Sequence, residues 1–176
     1  FVEAYRYKQK YPDIIKGFDL VAEEDNGHTT LFFLENWNKK DSLDKAYNTK
    51  MDLYLHDGES TSSNVQNMYD ASILNCKRIG HGFNIMHFPG LIEEVKRKGI
   101  CLEVSPISNQ ILGYVQDLRL HPASIMMKHG VQIALSSDDP AVFDYNGLSY
   151  DFWMAIVAWE LDLKAVKKLA MNSLIY

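Results

Sequence analysis

Five short apolar runs, each ending in residues able to do chemistry, constrain the fold of this chain more than any other feature. They are Ile14–Val21, Met51–His56, Arg78–His81, Ile100–Ser105 and Val131–Ser136. They do not alternate apolar with polar as a half-exposed strand would, and such runs belong to strands buried on both faces of a parallel sheet. Longer segments of helical period separate them, over about 29–46, 62–76, 88–99, 121–129 and 149–176. Gly99 and Gly130 each stand directly before a strand, where a left-handed glycine closes a helix. A further helix suits Phe1–Lys10 and stops near Tyr11-Pro12-Asp13. Repeated strand–helix units predict an α/β architecture with right-handed crossovers, either a barrel or a doubly wound sheet. No repeat, low-complexity tract or linker divides the chain, which predicts one domain or part of one.

Composition narrows the function classes. With 47% apolar residues and a net charge of −5, the chain is not of the disordered type. Its two cysteines cannot staple a scaffold and include no CxxC pair for a structural zinc. No stretch approaches the roughly 18 consecutive apolar residues of a membrane helix, so no membrane partner is expected. A mildly acidic chain without a basic cluster also argues against nucleic acid as a partner.

The polar residues fall at one end of the predicted strands. The first leads into Ala22-Glu23-Glu24-Asp25, the second into His56-Asp57-Gly58-Glu59, and the third into His81-Gly82. The fourth ends in Ser105-Pro106-Ile107-Ser108-Asn109 and the fifth in Ser136-Ser137-Asp138-Asp139-Pro140. In α/β barrels the active site is built at the C-terminal ends of the strands. Each residue taken alone also suits a helix cap or a satisfied loop, but histidine is not a favoured cap. Imidazole and carboxylate are the ligand set of a catalytic zinc, whose bound water has its pKa lowered to about 7. Glu59, three residues beyond His56, is placed beside such a metal as a proton donor, and His81 to orient or deprotonate the water. Asp138 and Asp139 are expected to point to different sides of the strand end, one to metal and one to substrate.

At these residues the chain resembles a known family. His56-Asp57-Gly58-Glu59, Arg78-Ile79-Gly80-His81-Gly82 and Ser136-Ser137-Asp138-Asp139-Pro140, in that order, look like the adenosine and AMP deaminase superfamily. Glu103–Gln110, Gly147-Leu148-Ser149-Tyr150-Asp151-Phe152 and Leu169-Ala170-Met171-Asn172-Ser173 resemble the adenosine deaminase-related growth factors, its secreted branch. The resemblance implies a zinc-bearing (β/α)8 TIM barrel that converts adenosine or deoxyadenosine to inosine or deoxyinosine plus ammonia. It implies His56 and Asp138 as zinc ligands, Glu59 protonating purine N1 as zinc hydroxide attacks C6, and His81 positioning that hydroxide. It further implies Asp139 at purine N7, the backbone N–H of Ala22 at N3, an extracellular location and a homodimer when full length. Growth-factor activity through adenosine depletion is also implied. A non-catalytic binding protein, an AMP deaminase or another amidohydrolase on the same barrel are the alternatives.

Three departures from the family pattern stand out. Ala22 replaces the usual glycine, and Asp57 replaces an alanine, adding a negative charge near the metal whose effect ranges from none, if it points outward, to a shifted Glu59 pKa. The third is larger: the histidines are 28, 56, 81, 87, 121 and 129, so the family's His-x-His zinc pair is missing. The five units match strands four to eight, and residues 1–176 are expected to be the C-terminal part of one catalytic barrel. By itself this segment is expected to bind zinc weakly and to lack appreciable deaminase activity.

Other residues read as structural. His28 is expected to cap a helix or line the cleft rim; His87, His121 and His129 sit at helix ends. The three tryptophans suit packing, with Trp37 able to edge the pocket. Cys76 and Cys101 read as buried thiols, and Asp19 as a hydrogen-bond partner within a strand.

Overall fold

The computed structural model describes all 176 residues. Helix α1 (Val2–Lys10) precedes β1 (Gly17–Leu20), and α2 (Leu34–Trp37) and α3 (Lys40–Ala46) precede β2 (Asp52–Asp57). Then come α4 (Asn67–Ile73), β3 (Arg78–His81), α5 (Pro89–Lys98), β4 (Cys101–Val104) and α6 (Pro106–Ile111). The chain ends with α7 (Ala123–Lys128), β5 (Gln132–Leu135), α8 (Leu148–Ala158) and α9 (Leu163–Ile175). The strands form one sheet in sequence order, every pair parallel. That is the order of five consecutive units of a β/α barrel, with β1 and β5 at the edges.

All five expected strands are present, and Gly99 and Gly130 take φ of +66° and +83° at helix ends, as their positions demanded. The helices differ more. The segment 29–46 breaks into a 3₁₀ turn (Thr30–Phe33), α2 and α3, because Thr29 caps the turn by accepting from the Phe32 N–H. The segment 149–176 divides at Trp159–Asp162, where Glu160 has φ +52° and the Asp162 carboxylate starts α9 by accepting from the Ala165 N–H at 2.7 Å. Helix α6 was not expected; its signal is Pro106 at the first helical position after Ser105.

The two sheet faces differ, and this places the site. Leu53, Leu55, Ile79, Leu102, Val104, Ile133 and Leu135 point toward the helices and join Met68, Ile85, Leu91, Val95 and Met126 in the core. Each such side chain contributes about 1.5–3 kcal/mol by leaving water. The other face carries Asp19, Tyr54, His56, Arg78, Gly80 and Glu103, with Arg78 Nη1 donating to Glu103 Oε1 at 3.1 Å. Strand alternation thus commits His56 to the polar face and its neighbour Asp57 to the helix side.

Candidate active site

The C-terminal edge of the sheet brings the expected residues together. His56, His81, Asp138 and Asp139 line one pocket of about 320 Å³ with Val21, Gly80, Glu103, Ser105 and Ser136. Glu59 adjoins them: one donor atom each from Glu59, His81 and Asp138 lie within 4.8 Å of one another. Ala22, exposed on the loop beyond β1, does not line the pocket, although its neighbour Val21 does.

His56 and Gly80 sit side by side in register on β2 and β3. His56 Nδ1 is 2.9 Å from Asp19 Oδ1 on β1, and that hydrogen bond raises the imidazole pKa. A carboxylate on Nδ1 fixes the tautomer that leaves the Nε2 lone pair free, the usual outer support of a metal-binding histidine. Asp19 is therefore a hydrogen-bond partner, as its strand position suggested, and its partner is the expected zinc ligand. His81 is 5% exposed, its ring centroid 5.3 Å from that of His56. Burial lowers its pKa to about 4, leaving it neutral and able to accept a proton. Burial, with the Asp138 charge second, raises Glu59 to about 7. Glu59 can thus hold a proton at neutral pH.

Two of these residues sit in backbone conformations that L side chains rarely adopt: His81 has φ +67° and Asp138 φ +55°. Strained backbone concentrates at functional sites. The turn at Asp138 also corrects an expectation. Asp138 and Asp139 do not face opposite sides of a strand; both line the pocket, because β5 ends at Leu135 and the chain has already turned. Buried Ser108 of α6 donates from Oγ to Asp138 Oδ2 at 2.7 Å. Tyr145 donates to the Ser137 carbonyl at 2.6 Å and also lies 3.0 Å from Asp151 Oδ2, bracing the same turn. Sequence reading did not single out Ser108 or Tyr145, since each acts only through a fold-made contact.

Other expectations are corrected. Asp57 does not add charge to the metal side: it is buried behind the sheet, accepting from Thr30 Oγ1 at 2.8 Å. His28 caps no helix, the cap being Thr29, and stacks on Phe32 with centroids 3.9 Å apart. Trp37 packs in the core, as expected of the tryptophans, rather than at the pocket edge, its Nε1 donating to the Thr30 carbonyl. His121 is buried against Asn109 and accepts from the Ala123 N–H, so it is structural as expected. Cys76 and Cys101 are free buried thiols, each pushed up to about 12 by burial.

The donor set fits a zinc ion in part. Buried Glu59 Oε1 and His81 Nδ1 have no hydrogen-bond partner, and at 3.6 Å they do not bond one another. Buried polar atoms ordinarily find partners, so these suit a site that meets metal-activated water and substrate.

Comparison with known proteins agrees with this geometry. The family model described as adenosine deaminase matches residues 2–175. The chain belongs to the adenosine deaminase family. It is 43% identical to adenosine deaminase 2 of Dictyostelium discoideum, over 95% of this chain and 31% of that protein. It is 41% identical to adenosine deaminase 2 of Homo sapiens over 95% of this chain and 33% of that protein. The chain thus spans about a third of the length of the curated relatives it matches. Its fold resembles adenine deaminase from Arthrobacter aurescens, with a TM-score of 0.77 at 23% identity, over 97% of this chain and 50% of that one. A Burkholderia amidohydrolase solved with bound Zn gives a TM-score of 0.75 at 19% identity, over 97% and 46%. As a member of this family, the chain carries its five β/α units in the order the family motifs implied.

Proposed function

We propose that residues 1–176 are the C-terminal part, strands four to eight, of the catalytic barrel of a zinc-dependent deaminase. Its reaction is the hydrolytic conversion of adenosine or deoxyadenosine to inosine or deoxyinosine and ammonia. The observation that carries this reading is the convergence of Glu59, His81 and Asp138 within 4.8 Å at the strand ends, in a chain of the adenosine deaminase family.

His56, through Nε2, and Asp138 would hold the zinc. When bound, the ion lowers the pKa of the attacking water and stabilises developing negative charge. Glu59, with its pKa raised to about 7, holds the proton for purine N1. Withdrawing electrons at N1 is what makes C6 open to attack, so the donor must be protonated when substrate is bound. Neutral His81, 3.6 Å from Glu59, would orient the attacking water and direct its proton. Asp139, which lines the pocket, would meet purine N7; the Ala22 N–H is proposed for N3, although in this structure Val21 rather than Ala22 lines the pocket. Every pocket-lining side chain is neutral or anionic except the histidines, which supports a nucleoside over a nucleotide substrate.

A catalytic zinc takes three protein ligands and keeps an open position. His56 and Asp138 are too few for that by themselves, and a His-x-His pair of the kind the family motifs imply, absent from these 176 residues, would complete the set. Likeness to adenosine deaminase 2 supports an extracellular enzyme, and growth-factor action through adenosine depletion is proposed with it from the family motifs. A homodimer of the full-length protein is part of the same proposal. No helix is long and apolar enough to cross a membrane.

The test compares the complete protein with residues 1–176 alone, measuring zinc content and ammonia release from adenosine, deoxyadenosine, AMP and adenine. The complete protein should turn over the nucleosides, and E59Q should lose at least about 10²-fold in kcat. The isolated segment should be inactive and hold substoichiometric zinc. Full zinc loading and robust turnover by the segment would overturn the reading, as would an AMP preference in the complete protein.

A further inference from the structure

The reaction depends on where Glu59 is held, yet Glu59 sits on a loop just past a strand end, the least rigid place in such a fold. What fixes that loop is a hydrogen-bonded circuit behind the pocket. Glu24, from the loop after β1, accepts through Oε1 from two donors: the Gly58 backbone N–H at 3.0 Å and Asn67 Nδ2 of α4 at 2.8 Å. Asn67 Oδ1 accepts from the Thr30 N–H at 3.1 Å, and Thr30 Oγ1 donates to Asp57 Oδ1 at 2.8 Å. Asp57 is covalently followed by Gly58, so the circuit closes. It ties three elements, the β1 loop, the β2 end and α4, to the residue immediately before Glu59.

Gly58 occupies a place that no residue with a side chain can take. It has φ +82°, and a Cβ there would stand 2.5 Å from Met68 Sδ and 2.9 Å from Asn84 Oδ1. Its carbonyl is held from the other side by the Asn84 N–H at 3.0 Å. The two peptides on either side of Gly58 are thus each held, one at the Gly58 N–H and the next at the Gly58 C=O, and the side chain on the N–H is the Glu24 carboxylate.

We propose that Glu24 is a positioning residue for the deamination: it aims Glu59 at the purine by gripping the Gly58 peptide, and touches neither substrate nor metal. This rests on the reading of Glu59 as the proton donor. It accounts for a half-buried acid whose Oε2 makes no hydrogen bond. Only the reach of Oε1 is used, so the amide of glutamine serves equally, whereas aspartate withdraws the acceptor by about 1.5 Å.

The experiment measures kcat and KM for adenosine in the complete zinc-loaded enzyme for E24Q, E24D, E24A and E59Q, with zinc content and thermal melting for each. E24Q should stay within about three-fold of the parent in kcat. E24D and E24A should lose on the order of 10²-fold in kcat, the cost of misplacing a reacting group by about 1 Å, with KM within about three-fold and zinc retained. E24D with parental kcat shows that reach is irrelevant and overturns the proposal. E24Q falling as far as E24D shows that charge, not geometry, matters, and also overturns it. A uniform fall in zinc content across the Glu24 variants reassigns the residue to metal retention and counts against it. Should E24A fail to fold, the contrast of E24Q with E24D decides alone. Turnover surviving in E59Q removes the proton-donor reading itself, whereas an inactive E59Q beside a parental E24D removes only the positioning role.

Discussion

Gly80→Ala tests how the site is held. Gly80 lies beside His56 in register, its backbone fixed between β2 and β4. A Cβ there would stand 2.7 Å from Cδ2, 2.8 Å from Cγ and 3.0 Å from Nε2 of His56. Carbon atoms pack comfortably at about 3.5–4.0 Å, so the imidazole must retreat by about 1 Å. It cannot slide freely, because Nδ1 is tied to Asp19 at 2.9 Å. The relief available is a tilt that re-aims Nε2, the nitrogen assigned to zinc. Forcing an extra methyl into a packed site costs about 1–3 kcal/mol. A displaced ligand or lost outer support weakens metal binding by about 10–100-fold. Zinc affinity measured by competition with a chelator, together with urea denaturation, reads both effects in the complete protein. Gly90→Ala is the control, since a Cβ at Gly90 meets nothing within 4 Å. G80A with the parental zinc affinity would refute the reasoning that His56 is wedged between Asp19 and the β3 backbone. G90A as damaged as G80A would show that the effect is not specific to the ring contact.

Two further outcomes follow from buried polar groups. Asp57 is 2% exposed, and burial raises its pKa from 3.8 to about 7. The folded state therefore binds that proton more tightly than the unfolded one, so stability is highest below pH 4 on this account and falls as pH rises toward 7. At about 1.4 kcal/mol per unit, the loss is on the order of 4 kcal/mol. Asp57→Asn should be the more stable variant at pH 8 and match the parent near pH 4; parallel pH–stability curves from urea denaturation would contradict this. Ser108→Ala deletes the 2.7 Å bond to Asp138, so zinc affinity should fall by about 10–100-fold with little change in melting temperature. An unaltered affinity would show that the strained turn at Asp138 holds its own aim.

The strands were legible from their short apolar runs, but the expected burial on both faces does not hold: one face packs against helices, while the other carries Asp19, Tyr54, His56, Arg78 and Glu103, so β2 alternates buried with half-buried residues. Leu53, Leu55, Ile79, Leu102 and Ile133 are buried in the core against the helices. The glycine stops at Gly99 and Gly130 were legible for a local reason, their left-handed backbone. Helix α6 and the break near Glu160 were not, because both depend on cues of one or two residues inside longer apolar patterns. Among site residues, His56, Glu59, His81, Asp138 and Asp139 could be read from type and position at strand ends.

The supports could not be read in this way. Asp19 with His56, Ser108 with Asp138, and Glu24 with Gly58 are separated by 37, 30 and 34 residues. Nothing local marks such pairs, because each side chain alone is an ordinary polar residue. The sequence by itself determined the order of the β/α units, which residues end the strands, and hence the chemistry available. Only the tertiary structure decided which way each polar group points. Strand alternation sends His56 into the pocket and Asp57 behind the sheet, and the turn at Asp138 sends both aspartates to one side. Those choices follow from backbone register and closure across the sheet, which no window of sequence contains.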